Sequence, residues 1–239
     1  MQISFAGRVV VVAGGTGGLG RAISAAFLEE GAKVIVTYRK EEEFGAFRTS
    51  AGLKQSLLEG RRVDVTDEVA VAAFMNEIVA ERGAPDVLVN AVGGYAGGLK
   101  LWDTTTQVFD QMLALNLRSG FVLARAVMPV MLQAKQGSIV NVAAKAALDH
   151  GAGAAAYAAS KSAALALMDS LAADSRGTGV RVNTILPSIT DTASNRLAMP
   201  HADFSSWPKP EDIAKVVLFL CSDLARVIHG AAVPVYGNA

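Results

Sequence analysis

Tyr157 and Lys161 are the two side chains of this sequence whose types and spacing could carry out proton transfer. They lie four residues apart in LDHGAGAAAYAASK, residues 148–161. Residues at i and i+4 share one face of an α-helix, so the phenol and the ammonium would point into one cleft. A phenol with a pKa near ~10 is a poor acid–base group at neutral pH, and a nearby lysine cation is expected to lower that pKa. The alternative is a helix-face aromatic residue whose hydroxyl group is satisfied within the fold.

A glycine cluster forms a second candidate site directly after the apolar run RVVVVA at 8–13. The cluster, GGTGGLG, places Gly14, Gly18 and Gly20 in a G-x3-G-x-G spacing ahead of an amphipathic pattern. Glycine permits a sharp strand-to-helix turn and the close approach of phosphate oxygens, and the helix N-terminus offers free N–H groups. The position of the cluster therefore predicts a dinucleotide site, whereas a simple structural turn is the alternative.

The residues after the second apolar run, KVIVTY at 33–38, bear on the choice between NAD and NADP. An acidic residue there would hydrogen-bond the ribose 2′-hydroxyl of NAD, whereas a cation would accept the 2′-phosphate of NADP. Tyr38 stands where the acidic residue is expected, and Arg39 can pair with a phosphate bidentately. We therefore predict NADP(H) as the preferred cofactor and keep NAD(H) as the alternative. In that alternative, Arg39 and Lys40 are solvated charges paired with Glu41–Glu43.

Apolar β-branched runs alternate with helical patterns along the whole chain. Strands are predicted at 8–13, 33–38, 61–65, 86–90, 137–143, 180–186 and 231–236. Helices are predicted at 18–31, about 67–82 with a cap near Thr66, about 107–135, about 154–176 and 210–223. Apolar strands separated by helices predict an α/β, Rossmann-type doubly wound fold, a parallel sheet of about seven strands with helices on both faces. Because no linker interrupts the pattern, we expect a single domain over residues 1–239.

Composition and charge argue against several classes of partner. The 22 basic and 22 acidic residues give a formal net charge of zero, so no net field attracts nucleic acid or an anionic membrane. The longest apolar runs are strand-length, far short of the ~20 residues of a spanning helix, and the N-terminus predicts no signal peptide. Lone Cys221 predicts a buried thiol without a disulfide, and the three histidines show no metal spacing. We expect a cytoplasmic protein that acts on a small molecule and holds no metal.

The ordered set of motifs resembles the short-chain dehydrogenase/reductases over essentially the whole chain. The set comprises GGTGGLG, VDV at 63–65, VNAVGG at 89–94, Asn116 in ALNL, Tyr157-x3-Lys161 and VNTILPSITDT at 182–192. The resemblance implies an NAD(P)-dependent oxidoreductase in which Tyr157, Lys161 and Asn116 are catalytic. Lys161 would also reach the nicotinamide ribose, and Asn116 would anchor a water that relays protons to Lys161.

The same resemblance implies the cofactor contacts. They are Gly14, Thr16, Gly18, Leu19, Gly20, Arg39, Asp64, Val65, Asn90, Ala91, Tyr157, Lys161, Pro187, Thr190 and Thr192. Thr190 and Thr192 would line the nicotinamide carboxamide. Ser188 stands where the family usually has glycine. The family also commonly packs the helices at about 107–135 and 154–176 across a two-fold axis, which implies a homodimer or homotetramer.

A narrower resemblance begins at Ala144, thirteen residues before Tyr157, where the family usually has a serine. VGGYAGG at 92–98, AAKAALDHGAGAAAY at 143–157 and NRLAMPHADFSSW at 195–207 are similar to the dihydropteridine reductase branch, which likewise carries alanine. This resemblance implies substrate contacts from Tyr95, Ala144, Phe204 and Trp207, with the 199–207 loop as an apolar lid over a flat ring. A packed structural loop or a subunit contact is the alternative.

The chain also departs from that branch. Members that use NADH carry an Asp where this chain has Arg39, and Tyr95 replaces a tryptophan. Asn116 agrees with the broader family, whereas the animal dihydropteridine reductases lack it.

Three functions remain open from the sequence. The first is an NADPH-preferring dihydropteridine-reductase-like enzyme, whose conjugated, electron-poor acceptor has less need of the serine. The second is a carbonyl or 3-oxoacyl reductase in which Tyr95 or a water replaces the serine, since losing such a donor typically costs roughly two to three orders of magnitude in rate. The third is a non-catalytic NADP-binding sensor, against which the retained Tyr157, Lys161 and Asn116 argue.

Overall fold

A seven-stranded sheet forms the centre of the protein. The structure, a computed structural model, describes residues 3–238. The strands are β1 (Val9–Ala13), β2 (Lys33–Tyr38), β3 (Leu58–Arg62), β4 (Val87–Asn90), β5 (Gly137–Val142), β6 (Val180–Pro187) and β7 (Ala232–Val235). All neighbouring pairs are parallel, in the order β3-β2-β1-β4-β5-β6-β7. The chain leaves β1 in one direction and returns at β4 in the other, and ligands of open α/β sheets bind at such a switch point.

Eight α-helices cover the described part of the sheet on both faces. They are α1 (Gly18–Glu29), α2 (Glu41–Ser50), α3 (Glu68–Arg82), α4 (Thr106–Leu113), α5 (Ser119–Ala134), α6 (Ala155–Asp174), α7 (Ala193–Ala198) and α8 (Pro210–Cys221). A π-helical turn, Ala114–Arg118, joins α4 to α5. The Rossmann-type architecture predicted from the sequence is therefore confirmed.

Two apolar layers hold the helices to the sheet. On one face, α1 and α8 pack together over side chains such as Val10, Val12 and Val34. On the other face, α3, α5 and α6 cover side chains such as Val11 and Ile139. Alternate residues of each strand enter opposite layers, so a strand buried on both faces must be apolar throughout, as VVVVA of β1 is.

The helical run Thr106–Ala134 is long and apolar enough to cross a membrane by length and composition alone. Half of its most apolar window is buried inside the fold. Val122, Leu123 and Val127 of α5 belong to the apolar layer beneath the sheet. A helix at about 107–135 was predicted from the sequence, but its capacity to span a membrane was not, because only unbroken apolar stretches were considered.

The third strand begins earlier than its predicted span of 61–65. It pairs Leu58 with Val34 and ends by pairing Arg62 with Tyr38. The register against β2 therefore moves Asp64 into the loop after the strand, where it lies at the ligand-binding edge. The helix cap is Asp67 rather than Thr66, because the Asp67 carboxylate accepts from the main-chain N–H groups of the first turn. The short helices α2 and α7 were not predicted.

Candidate active site

Helix α6 carries both candidate proton-transfer residues near its N-terminal end. Lys161 is only 5% exposed, and its Nζ donates a hydrogen bond to the Val142 carbonyl at the end of β5, at 3.0 Å. Tyr157 is half-buried, and its ring meets that of Tyr95 edge to face, with centroids 4.9 Å apart. The helix thus places both groups at the carboxyl edge of the central strands, where the fold binds ligands.

Burial shifts both proton-transfer groups toward their neutral forms. It raises the pKa of Tyr157 to about 12, with a smaller contribution from the neighbouring Tyr95. It lowers the pKa of Lys161 to about 8, since a buried ammonium loses its hydration. From the sequence, a lowered phenol pKa is expected next to the lysine. In the structure the pKa shift of Tyr157 has the opposite direction, because its burial outweighs any stabilisation of the phenolate by Lys161, whose Nζ donates to the Val142 carbonyl.

Asn116 lies in the π-helical turn, buried between α6 and the loop after β4. Its Oδ1 accepts from the Gly94 N–H at 2.9 Å and its Nδ2 donates to the Gly94 carbonyl at 3.0 Å, so the carboxamide grips one residue of that loop twice. A Cβ atom at Gly93 would lie 2.9 Å from Asn116 Oδ1 and 3.1 Å from Lys161 Nζ. Both side chains therefore border Gly93. Single-turn π-helices are frequent at functional sites.

Ser160 joins this network and was missed by the sequence analysis. Its hydroxyl accepts from Asn116 Nδ2 at 2.9 Å and donates to the Tyr157 carbonyl at 2.7 Å. Its position three residues after Tyr157 and one before Lys161 was the available signal, because that spacing places it on the same side of the helix. Ser160 thereby connects the π-helical turn to the catalytic helix.

A cleft of about 210 Å³ opens at the switch point between β1 and β4. Six of the predicted cofactor residues line it: Gly14, Thr16, Arg39, Asp64, Val65 and Ala91. Gly17, the N-cap of α1, also lines the cleft and brings the free N–H groups of the helix N-terminus to it. A glycine-lined wall, a helix N-terminus and a cation at the far end suit a dinucleotide with its phosphates over α1.

Three glycines explain why the turn into α1 requires this residue type. Gly14 has a φ of +72°, which L side chains rarely adopt. At Gly20, an added Cβ would overlap the Gly14 carbonyl oxygen, so the helix could not approach the strand as closely. At Gly18, an added Cβ would lie 2.8 Å from the Thr192 side chain. The loop after β6 therefore closes directly onto the predicted phosphate-binding loop.

The other predicted cofactor residues lie outside the walls of this cleft. They are Gly18, Leu19, Gly20, Asn90, Tyr157, Lys161, Pro187, Thr190 and Thr192. Asn90 uses its side chain within the fold, donating to Asn141 Oδ1 at 2.9 Å and accepting from the Val92 N–H. Leu19 packs against the apolar layer under α1. Pro187 and Thr190 are buried at the end of β6 and just beyond it.

The charged residues after β2 separate into paired and unpaired groups. Lys40 pairs with Glu43 at 3.3 Å, and Tyr38 donates to the Glu41 carboxylate at 2.6 Å. Arg39 forms no salt bridge or hydrogen bond with any residue between 3 and 238, and it faces the cleft. Hydrogen bonds from Thr66 lower the pKa of Asp64, and Arg39 adds to that shift. The alternative of charges paired with Glu41–Glu43 thus holds for Lys40 and not for Arg39.

The predicted lid is a compact loop with its own interactions. Trp207 is 7% exposed, and its ring packs against Phe204 with centroids 4.9 Å apart. The guanidinium of Arg196 lies 4.7 Å from the centre of the Phe204 ring and pairs with the Asp191 carboxylate. Trp207 is therefore packed within the fold, and Phe204 has a charged group over its ring. This arrangement agrees with the alternative of a packed structural loop.

Ala144 lies just after β5, and its methyl group is 7% exposed. It offers no hydrogen-bond donor from its side chain. Across the site, Tyr95 is 69% exposed beside Tyr157. In residues 3–238, no group of three or more His, Cys, Asp or Glu side chains could hold a metal ion.

Comparison with known proteins defines the family. The short chain dehydrogenase family model matches residues 8–202. The chain is 33% identical to meso-2,3-butanediol dehydrogenase of Serratia marcescens, over 98% of this chain and 95% of that protein. It is 34% identical to D-threitol dehydrogenase of Mycolicibacterium smegmatis, over 97% of this chain and 92% of that protein.

A solved structure agrees with these relatives. The crystal structure of a putative short-chain dehydrogenase/reductase from Burkholderia xenovorans superposes with a TM-score of 0.92 at 30% identity, covering 99% of this chain and 97% of that one. The chain belongs to the short-chain dehydrogenase family. It is therefore an NAD(P)-dependent oxidoreductase of small molecules. The named relatives act on a diol and a polyol and do not support the dihydropteridine reductase branch.

Proposed function

We propose that this protein uses NADP(H) to interconvert a small carbonyl compound and its alcohol. The observation that carries the proposal is the cluster of Tyr157, Lys161 and Asn116 beside the dinucleotide cleft. Lys161 and Asn116 are buried and held by main-chain partners, while the Tyr157 ring remains partly open. Such an arrangement keeps an acid at the mouth of the site and its supporting groups behind it. The names of the diol and polyol relatives support this substrate class.

Bound NADPH would supply the hydride in the direction of reduction. Tyr157 donates its hydroxyl proton to the carbonyl oxygen as that oxygen gains charge, and its high pKa ensures that the proton is present at neutral pH. The Lys161 ammonium then stabilises the phenolate that remains, since an opposite charge nearby favours the ionised form. The proton of Tyr157 is restored from solvent along Lys161 and a water held near Asn116. In the reverse direction, the phenolate accepts the hydroxyl proton of the alcohol.

The charge distribution of the cleft supports NADP(H) over NAD(H). No carboxylate stands at the end of β2, and Glu41, which follows three residues after Tyr38, is engaged by the Tyr38 hydroxyl. Arg39 is exposed on the cleft and free to pair with a 2′-phosphate through two N–H groups. Asp64 lies across the same cleft, where it would hold an adenine or ribose group rather than a phosphate.

Ala144 favours a second candidate, the reduction of a quinonoid dihydropterin to the tetrahydropterin. Such an acceptor is conjugated and electron-poor, so it needs less help from a second hydroxyl group than a ketone does. The missing serine also leaves room for a bicyclic ring. The burial of Trp207 and the contact of Arg196 with Phe204 weaken the lid on which this candidate partly depends.

An assay of the purified protein with NADPH tests the proposal. We expect oxidation of NADPH with acetoin or diacetyl, and a lower Kd for NADPH than for NADH. Tyr157→Phe should abolish turnover while the protein still binds NADPH, because it removes the proton donor and leaves the other predicted cofactor contacts in place. Turnover of quinonoid dihydrobiopterin without any carbonyl substrate would favour the second candidate. Tight NADPH binding without turnover of any acceptor would contradict both.

A further inference from the structure

The site described above provides one side-chain hydroxyl where a carbonyl reductase benefits from two. A reduced carbonyl oxygen gains negative charge, and each preorganised donor aimed at it is typically worth about 10²–10³ in kcat. Tyr157 is one donor. Ala144, just after β5, offers only a methyl group. A second donor must come from another element.

Tyr95, on the loop after β4, is a candidate because it lies beside Tyr157. Its ring meets the Tyr157 ring at 4.9 Å between centroids and 74° between planes. Its hydroxyl makes no hydrogen bond with any residue between 3 and 238, although both neighbouring loops contain polar main-chain groups. The ring is 69% exposed, so a substrate entering the site can reach it. An unpaired phenol next to the proton donor is therefore available to a ligand.

The loop that carries Tyr95 is held in place at several points. The Asn116 side chain hydrogen-bonds both the N–H and the carbonyl of Gly94, the residue before Tyr95. The Gly98 N–H donates to the Gly153 carbonyl at 2.8 Å, which ties this loop to the segment leading into α6. A Cβ atom at Gly97 would overlap the Tyr95 hydroxyl, so glycine at 97 makes room for the observed ring position.

We propose that Tyr95 supplies the second hydrogen bond to the substrate oxygen and thereby replaces the hydroxyl group that Ala144 lacks. This inference rests on the proposed function. During reduction, bound NADPH would supply the hydride for the new C–H bond and become NADP⁺, and the carbonyl π electrons would move to oxygen. That oxygen takes the proton of Tyr157, while Tyr95 donates a hydrogen bond and keeps its own proton. The substrates are then small ketones that carry a free oxygen acceptor toward the 93–98 loop.

The test compares Tyr95→Phe, Ala144→Ser and the double variant with acetoin as substrate. We expect Tyr95→Phe to lower kcat/KM by about 10²-fold, the usual effect of losing one such donor, with an unchanged NADPH Kd and melting temperature. Ala144→Ser should recover at least tenfold of that loss in the Tyr95→Phe background and gain much less in the wild type. Tyr236→Phe makes the same chemical change at a tyrosine whose ring lies against Lys145, so it is the matched control and should leave kcat/KM unchanged.

The possible outcomes separate the inference from the proposed function. If the wild type reduces acetoin and Tyr95→Phe keeps the same kcat/KM, the inference is overturned and the proposed function stands. If Tyr95→Phe loses activity and Ala144→Ser restores none of it, the Tyr95 hydroxyl does not act as a replacement for the serine. A wild type that binds NADPH and reduces no carbonyl overturns the proposed function, and the inference with it.

Discussion

Burial controls both titratable groups of the candidate site, and it acts on them in opposite directions. Tyr157 resists loss of its proton, with a pKa of about 12, and Lys161 loses its proton more readily, with a pKa of about 8. Each shift favours the uncharged form, because a partly dry site stabilises charges poorly. In the proposed reduction, proton transfer from Tyr157 would create a phenolate in this same environment. The same burial that makes a charged Lys161 necessary to stabilise the phenolate therefore also disfavours the charged form of Lys161.

The pH dependence of reduction follows from these two values. Lys161 is charged below about pH 8 and neutral above it, whereas Tyr157 keeps its proton throughout that range. We expect kcat to fall as the pH rises through about 8, because a neutral Lys161 no longer stabilises the phenolate. Steady-state assays with NADPH and acetoin from neutral to alkaline pH measure the effect.

Lys161→Arg is the control for this profile. A guanidinium stays charged well beyond the alkaline range, so the fall in kcat should disappear in the variant even if its maximal kcat is lower. A wild-type profile that stays flat through pH 8, or a Lys161→Arg profile with the same fall, would contradict the assignment of the titrating group to Lys161.

At the scale of elements, the turn from β1 into α1 determines the shape of the cofactor cleft. The first turn of α1 passes so close to the end of β1 that only a hydrogen fits at Gly20. The N-terminus of the helix consequently reaches the cleft that Gly14 and Gly17 line. Because Gly18 has no side chain, Thr192 from the loop after β6 can pack directly against it. The lack of side chains at Gly18 and Gly20 therefore positions both α1 and the loop after β6 around the predicted pyrophosphate.

Gly20→Ala should destabilise the protein by about 2 kcal/mol, since overpacking a tight contact typically costs 1–3 kcal/mol and the Gly14 main chain cannot move aside easily. Gly45→Ala is the matched control. Gly45 lies inside α2 with open space around it, so alanine there should stabilise by about 1 kcal/mol through helix propensity. Urea unfolding of both variants measures the difference. Equal free energies of unfolding for the two variants would contradict the steric account.

At the scale of the whole molecule, one apolar surface is left uncovered on the helical layer formed by α4, α5 and α6. Leu113, Leu117, Phe121 and Leu167 line a shallow hollow there, and Phe121 is 46% exposed. Asp110 and Arg118 stand at its rim and could pair between two copies of the chain. Exposed apolar patches with polar rims often mark interfaces. We propose that the protein assembles through this surface into a homodimer or homotetramer. We also propose that residues 1–239 form one domain and that the protein is cytoplasmic.

Phe121→Glu should shift the protein toward monomer, because a carboxylate buried in such an interface would lack a partner. Sedimentation velocity of the wild type and the variant measures the change. Leu53→Glu makes the same kind of substitution at a fully exposed site away from this surface and should leave the assembly unchanged. A monomeric wild type at micromolar concentration, or an unchanged Phe121→Glu oligomer, would contradict the proposed interface.

Local pattern in the sequence was sufficient for most of the architecture. Strands such as β1 and helices such as α6 were predicted within two residues of their bounds, because periodicity and glycine placement act over short stretches of chain. The spacing of Tyr157 and Lys161 likewise needed only the geometry of one helix. The start of β3 at Leu58 was missed, because strand register depends on the partner strand β2.

The chemistry of the site depended on contacts between distant parts of the chain. The direction of the Tyr157 pKa shift follows from how deeply α6 is buried and from Tyr95, which approaches from the loop after β4. The partners of Asn116 come from that loop and from α6. Sequence alone therefore determined the fold, the glycine-rich turn and the shared helix face of Tyr157 and Lys161, which follow from local spacing. Only the tertiary structure decided the direction of their pKa shifts and the contact of the Tyr95 ring with Tyr157, because desolvation and side-chain approach arise between elements far apart in the chain.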